Sequence, residues 1–166
     1  MRNVSVKIFE SVIDLLSVNA LNQSPDETGG VLVGTRSCTD DLLEYNILGA
    51  VGISSFNEFK DIYNATATEF TCTDRMGWAK LALKAVEIYG MSYIGDWHSH
   101  PKSNFNNLSP KDISHILQQY ELRQFNPFPP LHVLLSWPLG SERVSITANI
   151  MLHNNVIAVI KPQIIE

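Results

Sequence analysis

The chain has 166 residues, 45% of them hydrophobic, which is typical of one domain with a full core, so we predict a single domain over residues 1–166. Its formal net charge of −5, without a dense run of lysine or arginine, argues against binding to nucleic acid or to anionic membranes. A protein or a small molecule is the expected partner.

The sequence contains two cysteines, Cys38 and Cys72. It therefore predicts no disulfide framework, and it has no Cys-x-x-Cys pair that would hold zinc by itself. The N-terminal segment MRNVSVKIFE has no continuous apolar stretch, so it predicts neither a signal peptide nor a membrane anchor. We expect a soluble protein of the cytoplasm.

In the first half of the chain, the alternation in VSVKIF predicts a strand that leads into a helix. The apolar face of that helix consists of Val12, Leu15, Leu16 and Ala20. After NQSPDETGG, which ends the helix, GGVLVGTR and LLEYNILGAVGI predict two strands. Residues 53–70 show no regular pattern.

A long helix follows, for which Thr73 is the predicted N-cap and Gly90 the predicted end. Its apolar face consists of Trp78, Leu81, Ala82, Ala85 and Tyr89. MSYIGDW then predicts a strand, which a loop joins to a third helix that begins at Pro110. The apolar face of this third helix consists of Ile113, Ile116, Leu117 and Tyr120.

Three more strands are predicted in LHVLLSW, RVSITANIML and VIAVIK, the last two paired through HNN. The expected fold class is therefore α/β or α+β, with a mixed sheet and about three helices.

The segment GDWHSHP places His98 and His100 two residues apart at the end of a predicted strand. If the strand stays extended, both imidazoles point to one side and can converge on one metal ion. A His-x-His pair taken alone is more often a polar loop end.

Ser109 and Asp112 follow in LSPKD, at the predicted start of the third helix. A serine before a proline, with an acid in the first turn, is typical of a helix N-terminus and explains both residues without a metal. In the functional interpretation, Asp112 points back at the strand end that carries the histidines. The two interpretations are compatible, because the cap and the ligand would use different residues.

Two histidines and one carboxylate leave the fourth position of a tetrahedral zinc open for water, which is typical of a catalytic site. A further carboxylate is needed to take and return the proton of that water. Glu27, at the head of GGVLVG, is the predicted acid/base, and Asp26 competes with it. Each of these two acids taken alone is more often an ordinary turn residue.

Together, ETGG, GDWHSHP and SPKD resemble the motifs of the JAMM metalloproteases, which have the MPN (cytidine-deaminase-like) fold with a mixed central sheet. The likeness covers nearly the whole chain, and GDW resembles the compact prokaryotic branch. The resemblance implies one zinc ion per chain held by His98, His100 and Asp112. It also implies that Glu27 is the acid/base and that Ser109 stabilises the oxyanion.

The implied reaction is hydrolysis of a peptide or isopeptide bond after the C-terminal tail of a ubiquitin or ubiquitin-like protein, in deconjugation or precursor processing. Some bacterial members of the family are associated with E1- and E2-like enzymes in antiviral defence operons. The resemblance therefore implies a ubiquitin-like substrate and adds E1- and E2-like proteins as candidate partners.

One feature departs from the family pattern. Eight residues, 101–108, separate His100 from Ser109, where the family usually has seven. The loop contains Asn104, Asn106 and Asn107, which are turn-forming residues, so it can absorb an insertion. The departure affects the expected position of Ser109 more than the ligand assignment.

The remaining histidines and two tryptophans are not assigned to the site. His115 is predicted to lie on the surface, and His132 and His153 to serve a strand and a turn. Trp97 and Trp137 are predicted to lie in the core.

Two alternative functions stay open. A zinc deaminase would use a His-x-Glu pair and a Pro-Cys-x-x-Cys pair, and the sequence has neither. A catalytically silent MPN scaffold that only binds partners would be expected to have lost a ligand or the acid, whereas all five positions are filled.

Overall fold

The computed structural model describes residues 3–103, 107–122, 128–141, 143–152 and 156–166. Within this part of the chain there are three α-helices: α1 (Glu10–Gln23), α2 (Arg75–Tyr89) and α3 (Pro110–Leu122). The first five strands are β1 (Asn3–Phe9), β2 (Gly29–Cys38), β3 (Leu42–Gly52), β4 (Tyr63–Thr66) and β5 (Glu69–Cys72). They are followed by β6 (Ser92–His100), β7 (Leu131–Ser136), β8 (Ser145–Leu152), β9 (Val156–Ile160) and β10 (Gln163–Ile165).

Eight strands form one mixed sheet in the order β10-β1-β3-β2-β6-β7-β8-β9. In this sheet β1 is parallel to β3 and β10, and β6 is parallel to β7, whereas the other neighbours are antiparallel. β4 and β5 form a separate two-stranded hairpin. A mixed central sheet with three helices confirms the predicted α+β class.

Apolar clusters lie on both faces of the sheet, which explains the unbroken apolar run in β2. Leu32 belongs to the cluster beneath α1, whereas Val31 and Val33 belong to the cluster beneath α2. Each of these side chains is fully buried, and such burial is worth about 1.5–3 kcal/mol per side chain. Trp97 and Trp137 lie in the cluster beneath α1, as predicted for core residues.

The ends of α2 follow local capping rules, with one correction to the sequence prediction. The N-cap is Asp74, whose carboxylate accepts a hydrogen bond from the backbone N–H of Met76 at 2.9 Å. The predicted cap, Thr73, instead donates its hydroxyl to the carbonyl oxygen of Asp61 at 3.4 Å. Gly90 ends the helix with a φ of 65°, a left-handed conformation that favours glycine.

The predicted apolar face of α1 is correct at Val12, Leu16 and Ala20, which are buried. Leu15 is 37% exposed, so its expected place on that face is wrong. The three buried residues are four positions apart and therefore form one straight row along the helix.

The segment without a sequence pattern, 53–70, contains two short 3-10 turns, Ile53–Ser55 and Asn57–Phe59, and then β4 and the start of β5. β8 and β9 pair in antiparallel fashion, as predicted, while the HNN turn between them and His153 lie outside the described residues. Of the helices in the described part of the chain, none is long and apolar enough to cross a membrane.

Candidate metal centre

The two histidines of GDWHSHP lie at the end of β6, which runs three residues beyond the predicted strand MSYIGDW and includes both. Because alternate residues of a strand share a face, His98 and His100 point the same way. Their Nε2 atoms are 3.0 Å apart, and the side chains are buried. The extended strand therefore brings two potential metal ligands together.

The start of α3 supplies a carboxylate to the same place. The backbone N–H of Ser109 donates to Asp112 Oδ2 at 2.7 Å, and the backbone N–H of Asp112 donates to Ser109 Oγ at 3.2 Å. The oxygens of the same Asp112 carboxylate lie 3.4 Å from the Nε2 atoms of His98 and His100. The Ser109 hydroxyl thus caps the helix while the Asp112 carboxylate faces the histidines, and that carboxylate also accepts the N–H of Ser109.

Glu27 precedes β2 and is held by backbone contacts on both sides. Its N–H donates to the carbonyl oxygen of Thr66 in the hairpin at 2.8 Å. The next residue, Thr28, donates its N–H to Ser99 Oγ at 3.0 Å and accepts from the N–H of Ser99 at 2.8 Å. The buried Glu27 carboxylate lies 4.0 Å from His100 Nε2.

The two glycines after Thr28 allow β2 to lie close to its neighbours. A Cβ at Gly29 would lie 2.6 Å from the carbonyl oxygen of Trp97, and one at Gly30 would lie 1.9 Å from that of Val51. A side chain at Gly29 would push β2 away from β6, and one at Gly30 would push it away from β3, so either would displace the strand that Glu27 precedes. Asp26, the competing acid, is exposed.

The five predicted residues lie together in one cleft between the β4–β5 hairpin, the end of β6 and the start of α3. One wall is aromatic, with the rings of Phe70 and Trp78 6.0 Å apart in an edge-on arrangement. Trp78 also donates its indole N–H to the buried carboxylate of Asp96 at 3.0 Å. An ion pair between Lys111 of α3 and Glu69 of β5 connects the two sides of the cleft mouth.

The pKa values of Glu27 and Asp112 in this cleft are shifted in opposite directions. Burial raises the pKa of Glu27 to about 7, and the nearby Asp112 carboxylate adds to the rise while His100 opposes it. Burial would also raise the pKa of Asp112, but hydrogen bonds with His100 and His98 outweigh it and hold this pKa well below its usual range. Burial lowers the pKa of His98, which favours its neutral form.

Sequence reasoning missed one residue of the cleft. His132 on β7 is buried, and its Nε2 lies 2.7 Å from Nδ1 of His98. Burial keeps the pKa of His132 well below its usual range. A histidine in the otherwise apolar run LHVLL was the available signal, because buried polar side chains need a partner. His115 also lines the cleft and is exposed, as predicted.

These side chains could hold a metal ion, and their spacing can be compared with that of zinc ligands. Ligands at 2.0–2.1 Å in a tetrahedral arrangement lie about 3.3 Å from one another. The 3.0 Å between the Nε2 atoms of His98 and His100 is close to this value. Asp112 Oδ1 lies 3.4 Å from His98 Nε2, and Asp112 Oδ2 lies 3.4 Å from His100 Nε2. One potential ligand atom from each of Glu27, His98 and His100 also lies within 4.8 Å of the other two, but Glu27 is farther from His100 than Asp112 is.

The sequence from the first helix to beyond β7 matches a known family. Residues 9–143 match the family model described as prokaryotic homologs of the JAB domain. The chain belongs to this family. The predicted resemblance is thereby confirmed, and the cluster described above lies within the matched part of the JAB domain.

Two solved structures are similar to this JAB domain. A protein from Desulfitobacterium hafniense, determined in solution, is 17% identical with a TM-score of 0.60, over 96% of this chain and 91% of that chain. A JAB1/MPN domain protein from Archaeoglobus fulgidus is 18% identical with a TM-score of 0.47, over 96% of this chain and 99% of that one. The first likeness shows the fold alone. No curated protein matches the chain.

Proposed function

We propose that this JAB domain is a zinc-dependent peptidase or isopeptidase that cuts the bond after the C-terminal tail of a ubiquitin-like protein. The observation that carries the proposal is the buried group formed by Glu27, His98 and His100, with the part-buried carboxylate of Asp112 beside both histidines, in a cleft open to solvent. Two imidazoles, an ionised carboxylate and a separate carboxyl group with a raised pKa are the set that metal-assisted hydrolysis requires.

The metal ligands in this proposal are His98, His100 and Asp112. Zinc held there would supply a Lewis acid and would lower the pKa of a bound water to about 7. The depressed pKa of Asp112 keeps its carboxylate ionised, and the depressed pKa of His98 keeps its imidazole neutral. Both residues are therefore in the protonation state that a ligand needs.

Glu27 is the proposed acid/base. A carboxyl group with a pKa of about 7 can both accept and return a proton at neutral pH, whereas the ionised Asp112 cannot easily do so. Glu27 would take a proton from the attacking water and pass it to the amine of the leaving group. The resulting amine and the new carboxylate are the products, so no covalent intermediate with the protein is needed.

Ser109 is the proposed oxyanion donor. Its Oγ accepts the hydrogen bond from the N–H of Asp112, and a serine hydroxyl can donate its own proton at the same time. Ser109 lines the cleft beside Asp112, so this proton can be directed at a substrate carbonyl oxygen on which negative charge develops.

Recognition of an extended tail would use β5, which runs along the cleft and pairs with β4 on one edge. Among the described strands β5 has no second partner, so its other edge can accept an added strand from the substrate. Phe70 and Trp78 narrow the cleft beside this edge. Small residues such as a Gly-Gly pair next to the cut bond fit this arrangement best.

Family resemblance supports the rest of the proposal: a ubiquitin-like substrate, E1- and E2-like partners in a bacterial antiviral defence system, and a cytoplasmic location. The decisive experiment incubates the zinc-loaded protein with fusions of a reporter to ubiquitin-like tails and reads cleavage by intact mass. Cleavage after the tail supports the proposal. Zinc binding without cleavage of any linear or isopeptide-linked fusion would instead favour a scaffold.

A further inference from the structure

The side of His98 that faces away from Asp112 contacts a second buried histidine. His132 Nε2 lies 2.7 Å from His98 Nδ1, and the two ring centroids are 4.9 Å apart. Because a hydrogen bond needs one proton between these two nitrogens, one ring must be the donor and the other the acceptor. The contact therefore has two forms, and they differ in which nitrogen of His98 carries its proton.

Backbone pairing holds His132 in this place. β7 runs parallel to β6, with His132 paired with Asp96 and Leu134 paired with His98. Alternate residues of paired strands share a face, so His132 lies on the same face of the sheet as His98, one row behind it. On the other side, Asn149 of β8 pairs with His132 and donates its side-chain N–H to the carbonyl oxygen of His132 at 3.3 Å. Two neighbouring strands thus determine the position of the ring.

The two proton arrangements have opposite consequences for metal binding. If His98 carries its proton on Nε2, that nitrogen can donate to His100, 3.0 Å away, and is unable to bind a metal ion. If His98 carries its proton on Nδ1, this N–H is donated to His132, and Nε2 presents a lone pair towards His100 and Asp112. Only the second arrangement is compatible with the ligand role of His98.

We propose that His132 is a positioning residue that accepts the Nδ1–H of His98 and so holds the His98 ring in the tautomer and orientation required for metal binding. The inference rests on the metal site of the proposed function. In this role His132 contacts neither the metal nor the substrate, because its Nε2 atom, which would bind an ion, is hydrogen-bonded to Nδ1 of His98. The proton of His132 then resides on Nδ1.

Two substitutions of His132 separate the hydrogen bond from the packing. His132→Leu fills similar space without an acceptor, whereas His132→Gln keeps an oxygen that can accept the Nδ1–H of His98. Zinc affinity is measured by competition with a chromophoric chelator, and thermal unfolding of the metal-free proteins checks the fold. We expect the zinc affinity of His132→Leu to be roughly 10- to 100-fold lower, the usual range when a ligating histidine loses its hydrogen-bond partner. Most of the lost affinity should be restored in His132→Gln.

The outcomes distinguish this inference from the proposed function. Equal zinc affinity of the unsubstituted protein and a folded His132→Leu protein would overturn the inference alone. Failure of the unsubstituted protein to bind zinc would overturn the proposed function, and the inference with it.

A spectroscopic measurement on the unsubstituted protein needs no variant to fold. Nitrogen-15 correlation spectra of the zinc-loaded protein report which ring nitrogen carries each proton. We expect His132 with its proton on Nδ1 and a slowly exchanging proton on Nδ1 of His98. A proton on Nε2 of His132 would place two donors against each other, and it would overturn the inference even if zinc binds tightly.

Discussion

Gly29 pairs with His98 across the antiparallel strands β2 and β6. Two residues before Gly29 and two residues after His98, the same register places Glu27 opposite His100. This agrees with the 4.0 Å between the Glu27 carboxylate and His100 Nε2. The acid and the histidines are about seventy residues apart in the chain, and strand pairing brings them together. The position of Glu27 therefore depends on the close approach that Gly29 and Gly30 permit.

The first prediction concerns the metal. We expect the purified protein to bind one zinc per chain, and the combined substitution His98→Ala and His100→Ala to abolish binding, because it removes two of three proposed ligands. Metal analysis after removal of loosely bound ions measures this. The imidazoles must be neutral to bind, and burial lowers the pKa of His98 below the free histidine value of about 6.5, so affinity should persist at that pH and fall only in more acidic buffer. Full zinc content in the double variant would place the site elsewhere.

The second prediction separates the acid/base from the ligands. Glu27→Gln should retain zinc and lower turnover by roughly 10²- to 10⁴-fold, because the amide cannot take up the proton. Asp26→Asn is the matched control, since Asp26 is adjacent but exposed, and it should leave turnover nearly unchanged. Rate measurements on zinc-loaded proteins test both. Loss of zinc in Glu27→Gln would make Glu27 a ligand and contradict the assigned role.

The third prediction concerns Ser109. Ser109→Ala removes the hydroxyl that caps α3 and is proposed to stabilise the oxyanion, so we expect turnover to fall by roughly 10²- to 10³-fold. The free energy of unfolding should fall by about 1 kcal/mol through loss of the cap. Ser109→Thr keeps a hydroxyl and should recover much of both losses. Unchanged turnover in Ser109→Ala would leave Ser109 as a helix cap alone.

The fourth prediction concerns pH and the stability of the metal-free protein. Burial raises the pKa of Glu27 from 4.5 to about 7 in the folded state, so the folded protein binds this proton more tightly than the unfolded chain does. Binding of this proton by Glu27 therefore stabilises the folded protein fully below pH 4.5, and this stabilisation is lost as the pH rises through 7.

Glu27→Gln removes this dependence because the amide stays neutral. At pH 8 the variant should exceed the unsubstituted protein in free energy of unfolding by an amount on the order of 3 kcal/mol, and at pH 4.5 the two should nearly agree. Urea unfolding at both pH values measures the difference, with Asp26→Asn as the control. A difference between Glu27→Gln and the unsubstituted protein that does not change with pH would show that Glu27 ionises normally.

The fifth prediction concerns the residues next to the cut bond. If an extended tail lies between β5 and the start of α3, side chains larger than glycine should clash with the wall formed by Phe70 and Trp78. Replacing a Gly-Gly tail by Leu-Leu should lower kcat/KM steeply, whereas changes on the leaving-group side should have smaller effects. Matched fusions measured side by side test this. Equal cleavage of both tails would refute the narrow cleft and leave the zinc chemistry unaffected.

Local sequence patterns predicted most of the elements and the residues of the candidate site. The helix that ends at Gly90 follows from apolar spacing and from a glycine in the left-handed conformation, both of which depend on neighbouring residues in the chain. The loop from 101 to 108 is described only in part, since residues 104–106, with Asn104 and Asn106, lie outside the described residues. Ser109 lines the cleft beside Asp112 although the loop before it has one residue more than the family pattern.

The sequence by itself determined which residues are the candidate ligands. His98, His100 and Asp112 are close in the chain, and their geometry follows from the end of one strand and the start of one helix. The tertiary structure decided that Glu27, and not the exposed Asp26, lies beside His100, and it decided the contact of His132 with His98. Both depend on which strands lie beside β6 and in which register. Pairing between distant segments is set by burial of both faces of the sheet, which no local pattern around these residues encodes.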